Sequence, residues 1–364
     1  MSDPRITVVY PLYRAEGTVD ALVDAIARQR PPDGADPGSW MRVLFIDDAS
    51  PDATIPRLRA ALDGAGIAGD VRVVENEQNL GLARNLNRAL GMVDTAHVLT
   101  CHVDCRFGSD DYVARALGLL EGNPDVGAIA GQSTADLDAG LSRAEKVYLA
   151  ANLMDVFPAE GDDLMPVGFA EGRCDAFRME ALEAVGFYDT TLRTAGEDQI
   201  LASRLRGAGY RVCQAPALQY HLSVSSSQDS LRKLVRHARL FGRMHPYLLF
   251  ASDGTLAGAA GAEAGGNRTR RSLLRGLQLA GGVMWGALGV ALLARRGRAP
   301  AAAAVAATQM AKAGLFRRYV RDLRFDAGDT AALAVIQPAL DVSYTAGFLK
   351  GLLMLLRRDG RTIA

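Results

Sequence analysis

Residues 41–50, MRVLFIDDAS, run a short apolar β-rich stretch, Val43 to Ile46, straight into two acids, Asp47 and Asp48. Such a run bounded by turn formers reads as a buried strand. Asp48-Ala-Ser-Pro-Asp52 is also good turn and helix-start chemistry, so the two acids could serve a cap or a site. Working outward, ITVVYPLY (6–13) precedes this stretch with a helical pattern near 18–29 between them. A helix near 52–62, VRVVENE (71–77), a helix near 82–92 and AHVLTCHVD (96–104) follow it. Strands alternating with helices predict a Rossmann-like, mostly parallel sheet covered on both faces, whose ligands bind beyond the carboxyl ends of the strands. Three of these strands end in polar residues: Asp47-Asp48, Glu75-Asn76 and His102-Val103-Asp104.

Beyond a further strand at 126–130 the alternation weakens. A helix is expected near 141–153, then a loop rich in Asp, Gly and Pro, a helix at 179–185, one opened by Glu197-Asp198 and running to Gly207, and a short strand at 210–216. Two acids at a helix start can be simple dipole partners, which accounts for Glu197 and leaves Asp198 open.

A chain of 364 residues, 49% hydrophobic and 23% charged, is too apolar for disorder and too long for one ordinary small domain. Its 41 basic residues match 41 acidic ones, which argues against a nucleic-acid partner. The balance is an average of unlike parts: residues 1–264 hold 25 basic and 36 acidic side chains, residues 265–364 hold 16 and 5. An acidic body with a basic tail points to a negatively charged partner for the tail. Four cysteines with no CxxC pair suit a reducing cytosol, and the first residues lack the features of a secretory signal.

VVYPLYRAE, VLFIDDASPDAT, ENEQNLGLARN, CHVDCRF and the block from Gly168 to Val212, followed by His221, together resemble the family-2 glycosyltransferases of the GT-A fold. The resemblance covers residues 5–245 in order. It implies a nucleotide-diphosphate sugar donor, with UDP favoured, a divalent cation, Mn²⁺ or Mg²⁺, and a single in-line displacement that inverts the anomeric carbon. The family's DxD metal motif stands here as His102-Val103-Asp104, so Asp104 is the expected metal ligand, with His221 as a second and His102 near the nucleotide. Pro11, Tyr13, Glu16, Asp47, Asp48 and Arg84 are expected around the nucleotide, with Asp48 reading the base. Asp198, of the family's ED motif, is the expected general base. Glu197, Arg173 and Arg239 are expected to contact acceptor or diphosphate.

Arg232, Arg236, Arg239 and Arg243 fall at helical spacings and form one basic stripe, suited to phosphate or simply to water. Residues 246–270, rich in Gly and Ala from 251 on, read as a linker between a catalytic domain, 1–245, and a helical tail, 271–364. Leu277–Ala294 has no charge and Ala331–Leu356 has few, with an Arg-rich stretch between them. As a transmembrane hairpin these would place that stretch outside the cytosol, against the positive-inside tendency. Helices lying on the cytoplasmic leaflet, drawn to anionic lipid, fit better; a buried bundle or an oligomer contact is the other reading. The expected acceptor is a hydroxyl on a glycan, a lipid or a lipid-linked glycan of the cell envelope. A polyprenyl-phosphate acceptor, a nucleotidyltransferase and a non-catalytic nucleotide-sugar-binding scaffold are the alternatives.

Overall fold

Ile6–Leu12 form β1, buried at all seven positions, with Ile6, Val8, Tyr10 and Leu12 facing one core layer and Val9 the other. That two-sided burial is what a central parallel strand requires. The computed structural model describes residues 4–356 except 33–39, 68–69, 136, 138–139, 155, 158–160, 162, 169, 171, 192–195, 224–229 and 251–265.

β1 pairs in parallel with β2 (Met41–Asp47) on one side and β4 (His97–Cys101) on the other, and β3 (Asp70–Glu75) continues from β2. The chain therefore winds one way through β1, β2 and β3, then crosses back to β4. This puts a topological switch point between the carboxyl ends of β1 and β4, where open α/β sheets hold ligands. Helices α1 (Val19–Ala27), α2 (Thr54–Ala65) and α3 (Leu82–Leu90) fill the crossovers.

The sheet then turns mixed. β8 (Cys174–Arg178) lies antiparallel between β4 and β6 (Val126–Thr134), β9 (Arg211–Leu222) runs parallel to β6, and β5 (Cys105–Phe107) and β7 (Met165–Pro166) pair with β9. β9 continues through His221, so that residue stands within a strand rather than after one. One face carries α1, α4 (Tyr112–Gly122) and α5 (Arg143–Ala151); the other carries α3, α6 (Met179–Val185) and α7 (Glu197–Gly207). Helix α5 opens with a capping box, Ser142 and Glu145 exchanging hydrogen bonds with each other's backbone.

Helix α8 (Leu231–Phe250) extends past residue 245. It is followed by α9 (Gly266–Leu293), α10 (Arg298–Asp322) and α11 (Ala327–Leu356); most of the expected linker, 251–265, lies outside the described residues. These helices dock on the α5 face. Tyr319 of α10 donates to the Met154 carbonyl at 2.9 Å, Arg271 Nε to the Leu153 carbonyl at 3.0 Å, and Lys146 Nζ of α5 to Asp329 Oδ2 at 2.7 Å. Helix α11 crosses α8 with backbones in contact, because Gly242, Gly347 and Gly351 leave no side chain at the crossing. The Arg-rich stretch before α11 is amphipathic, but its apolar side, Phe316 and Tyr319, packs on the body.

Candidate functional site

The β1 and β2 ends are held by hydrogen bonds within the protein. Asp47 accepts from Ser50 twice, from its N–H at 2.8 Å and its hydroxyl at 2.5 Å, the local turn chemistry open to this sequence. Asp48, 4% exposed, accepts from Leu80 N–H at 2.7 Å, Gly81 N–H at 2.9 Å and Asn76 Nδ2 at 2.9 Å. Its carboxylate thereby holds the loop that opens α3, and Asn76 also donates to Asn85 Oδ1 at 2.8 Å. Pro11 is buried in β1 beside Ile46. Tyr13 is 43% exposed just past the strand, with Arg14 over its ring at 5.5 Å. Glu16 is exposed and accepts from Ala53 N–H at 3.4 Å; Arg84 is exposed on the first turn of α3.

The β4 end is arranged differently. His102 donates its N–H to the Arg173 carbonyl at 2.8 Å, and Arg173 Nη1 donates to Asp104 Oδ2 at 3.2 Å while its Nη2 reaches the Tyr148 hydroxyl at 3.3 Å. Both Asp104 and Arg173 remain partly open to solvent, at 16% and 18% of the side chain. Burial pulls the His102 imidazole down to about 4, so it is neutral, and its Nε2 is buried with no partner among the described residues. His221 stands opposite Arg106 and two register steps from Asp104, whose carbonyl accepts from Ser223 N–H at 2.8 Å. Its Nδ1 lies 3.1 Å from the Thr134 hydroxyl. It also lines a cavity of about 260 Å³ with Arg28, Arg106 and Asp110.

A third group of acids closes the site. Asp198 and Glu197 sit in the first turn of α7, and Asp198 Oδ1 accepts from Gln199 N–H at 2.8 Å. Burial pushes the Glu197 carboxyl up. Gly172, at φ +66°, lies so close to α7 that a Cβ there would sit 3.1 Å from Asp198 Cβ. The residue after it is Arg173, so one short segment touches Asp198 with Gly172 and Asp104 with Arg173. A cavity of about 10 Å³, room for about one water, lies here between Gly172, Asp175, Tyr188 and Asp198.

Among the described residues no three His, Cys, Asp or Glu side chains converge as a cation cage. The donor types nevertheless suit such an ion: Mg²⁺ and Mn²⁺ beside a nucleotide take one or two protein ligands and fill the rest with phosphate oxygens and water. Asp104 supplies a hard oxygen. Thr134 fixes the His221 ring through Nδ1 and leaves Nε2 as the nitrogen a cation could use, an orientation common among ligating histidines.

The structure thus brings His102, Asp104, Arg173 and Asp198 around one segment. Tyr13, Glu16 and Arg84 lie exposed at the β1–β2 side, and Arg239 is exposed on α8. Tyr148, Thr134 and Asp175, which bond to Arg173, His221 and Gly172, were not anticipated from the sequence. An acid inside the strand-like run CDAFR was the one available signal.

A parallel half-sheet with acids beyond its strand ends, continued by antiparallel strands that bring a second acid pair to the same edge, is the GT-A architecture. The mannosyltransferase PcManGT from Pyrobaculum calidifontis, solved with GDP-Man and Mn²⁺, shares the fold at 20% identity, covering 97% of this chain and 88% of that one with a TM-score of 0.60. S. aureus TarS, residues 1–349, aligns over 94% of this chain and 92% of its own at 14% identity and a TM-score of 0.46. No curated relative matches the sequence. Residues 7–186 match the model of glycosyl transferase family 2, and the chain belongs to that family: it is a glycosyltransferase.

Proposed function

We propose that the chain is an inverting, cation-dependent glycosyltransferase that moves a sugar from a nucleotide-diphosphate donor, UDP favoured, to a hydroxyl on a glycan, lipid or lipid-linked glycan at the cytoplasmic membrane face. The observation that carries this reading is the Gly172-Arg173 segment, which lies against Asp198 on one side and is ion-paired to Asp104 on the other. A base for the acceptor and a charged centre for the leaving group must face opposite sides of one anomeric carbon, and this segment supports both.

In this reading the nucleotide lies over the carboxyl ends of β1 and β2, with the Tyr13 ring as a platform and Asp48 holding the wall behind the base. Asp104 and His221 would hold the cation, which when bound offsets charge on the departing diphosphate. Arg173 adds a fixed guanidinium at the same place, worth most where water is excluded. Asp198 accepts the proton of the acceptor hydroxyl. The new bond forms between that oxygen and the anomeric carbon as the carbon–phosphate-oxygen bond breaks, and the electron pair leaves with the nucleoside diphosphate, inverting the centre.

Membrane contact is supported by α9 and α11, both long and apolar enough to cross a bilayer, with only 11% and 28% of their most apolar stretches buried. Val283, Val290, Leu292 and Leu293 on α9 and Val335, Val342, Leu349 and Leu353 on α11 are exposed, and Arg295, Arg296 and Arg298 follow the α9 run. Apolar faces edged by arginines suit an anionic leaflet surface. The full chain is expected to float with anionic vesicles and not with neutral ones at physiological salt; equal flotation with both would overturn the charge argument.

The test is release of nucleoside diphosphate from a panel of nucleotide sugars with and without Mn²⁺ and a lipid extract, with the product anomer read by NMR. Inversion and loss of turnover in Asp198→Asn are expected. Retained turnover in that variant would instead favour an acceptor already ionised, such as a polyprenyl phosphate.

A further inference from the structure

Asp175 takes no part in the transfer as drawn, yet it is 1% exposed near the start of β8. A carboxylate so placed persists only with partners. The strand fixes its backbone on both sides, since Asp175 is in register with Thr100 of β4 and Ala130 of β6. Its Oδ2 accepts from Gly172 N–H at 2.7 Å, three residues back along its own chain. The bond closes a short return that holds Gly172 at φ +66°, a conformation that suits glycine, and brings it against Asp198. The same return aims Arg173 the other way, with its carbonyl on His102 N–H and its guanidinium on Asp104 and Tyr148. Asp175 also lines the small cavity beside Asp198, and burial, then the charges of Asp175, Glu197 and Asp198, push the Tyr188 phenol up.

We propose that Asp175 is a positioning residue for the transfer, a strut that holds one short return and through it sets both the leaving-group side and the base side of the site. This rests on the glycosyltransfer reading above. A purely structural acid would act through the sheet, but the β8 ladder is made by backbone groups and does not need this side chain. Losing the strut would leave the nucleotide contacts at β1 and β2 untouched while displacing Arg173 and the neighbour of Asp198, and a displacement of about 1 Å at reacting groups lowers rate on the order of a hundredfold.

The test compares Asp175→Ala, Asp175→Asn and Gly172→Ala in the full chain. In Asp175→Ala, kcat should fall about a hundredfold with the donor KM within about threefold. Asn keeps an oxygen that can accept the same N–H, so Asp175→Asn should stay within about fivefold of the unmodified chain. Gly172→Ala, which strains the return from its other end and keeps the buried acid, should reproduce the kcat loss. Amide hydrogen exchange at Gly172, read by mass spectrometry, should rise in Asp175→Ala and be restored in Asp175→Asn. Unchanged exchange in Asp175→Ala, an unimpaired Gly172→Ala, or an Asn variant as poor as the Ala variant would each overturn the proposal. If the unmodified chain turns over no nucleotide sugar, the glycosyltransfer reading fails, and the exchange comparison still decides whether the strut exists.

Discussion

Asp48 follows β2 and Asp104 follows β4, two parallel strands on either side of β1, yet the protein treats their carboxylates in opposite ways. Asp48 is enclosed by two backbone N–H groups and an amide, all within 3 Å. Asp104 has one guanidinium at 3.2 Å and one weak thiol donor, Cys105 Sγ at 3.6 Å, and keeps solvent access. The first arrangement spends its oxygens on a loop; the second leaves them able to exchange partners when a charged substrate arrives. An acid at the end of a strand is therefore a site candidate in proportion to the hydrogen bonds it has not yet made.

Variants can separate the two kinds of acid, and the largest effect belongs to the open side. Asp198→Asn should lower kcat by on the order of 10³ with little change in melting temperature. Asp48→Ala should do the reverse: three donors lose a charged acceptor, and denaturant unfolding should show a loss of about 3 kcal/mol, with the donor KM rising as the wall behind the base loosens and kcat less affected. Asp104→Asn should keep its melting temperature and lose about a hundredfold in kcat, equivalent to about 2.7 kcal/mol. It should also lose its dependence on added Mn²⁺, and an unchanged Mn²⁺ titration would remove Asp104 from the cation's ligands.

The smallest effect lies where the body meets its helices. Asp329, at the start of α11, is buried, which alone would raise its pKa, but the hydrogen bonds from Lys146, the Asp326 backbone and Arg143 hold it below the ordinary carboxylate range. A folded-state pKa below the unfolded one gives stability that is present above about pH 4, the unfolded value, and is lost as pH falls through the folded one. The protection of the first turn of α11 from hydrogen exchange, taken relative to the intrinsic amide rate at each pH, should fall on acidification from pH 5 downward. Asp329→Asn should flatten that dependence at a cost of about 1 kcal/mol, since the amide oxygen still accepts from the Asp326 N–H and Lys146 and the Arg143 pair is half-exposed and screened.

Much of the frame was legible beforehand. The β1, β2 and β4 runs are continuous and apolar because both their faces are covered, and α6 occupies the expected residues, Met179–Val185. β8 escaped notice because it is five residues long, turns directly into a helix and carries Asp175 where a buried strand would ordinarily be apolar. β9 looked shorter because Pro216 and alternating polar residues follow Ala215, and the register slips between Gly131 and Gln132 of β6 opposite it. The acids proposed for the site came from the family resemblance. Tyr148 could not, since nothing in a mid-helix tyrosine announces a bond to an arginine 25 residues away.

Lys312 of α10 and Asp341 of α11 form an ion pair with neither side chain exposed, and Gln309 shares the same carboxylate oxygen. A single buried charge is far costlier than a matched pair, in protein or in lipid. The two helices therefore have to meet before either is shielded from water, which sets an order of assembly: hairpin first, then burial against α9 and any lipid. A chain cut after residue 326 would strand Lys312 without its carboxylate, so partial synthesis products ending there should leave α10 unpacked and open to degradation.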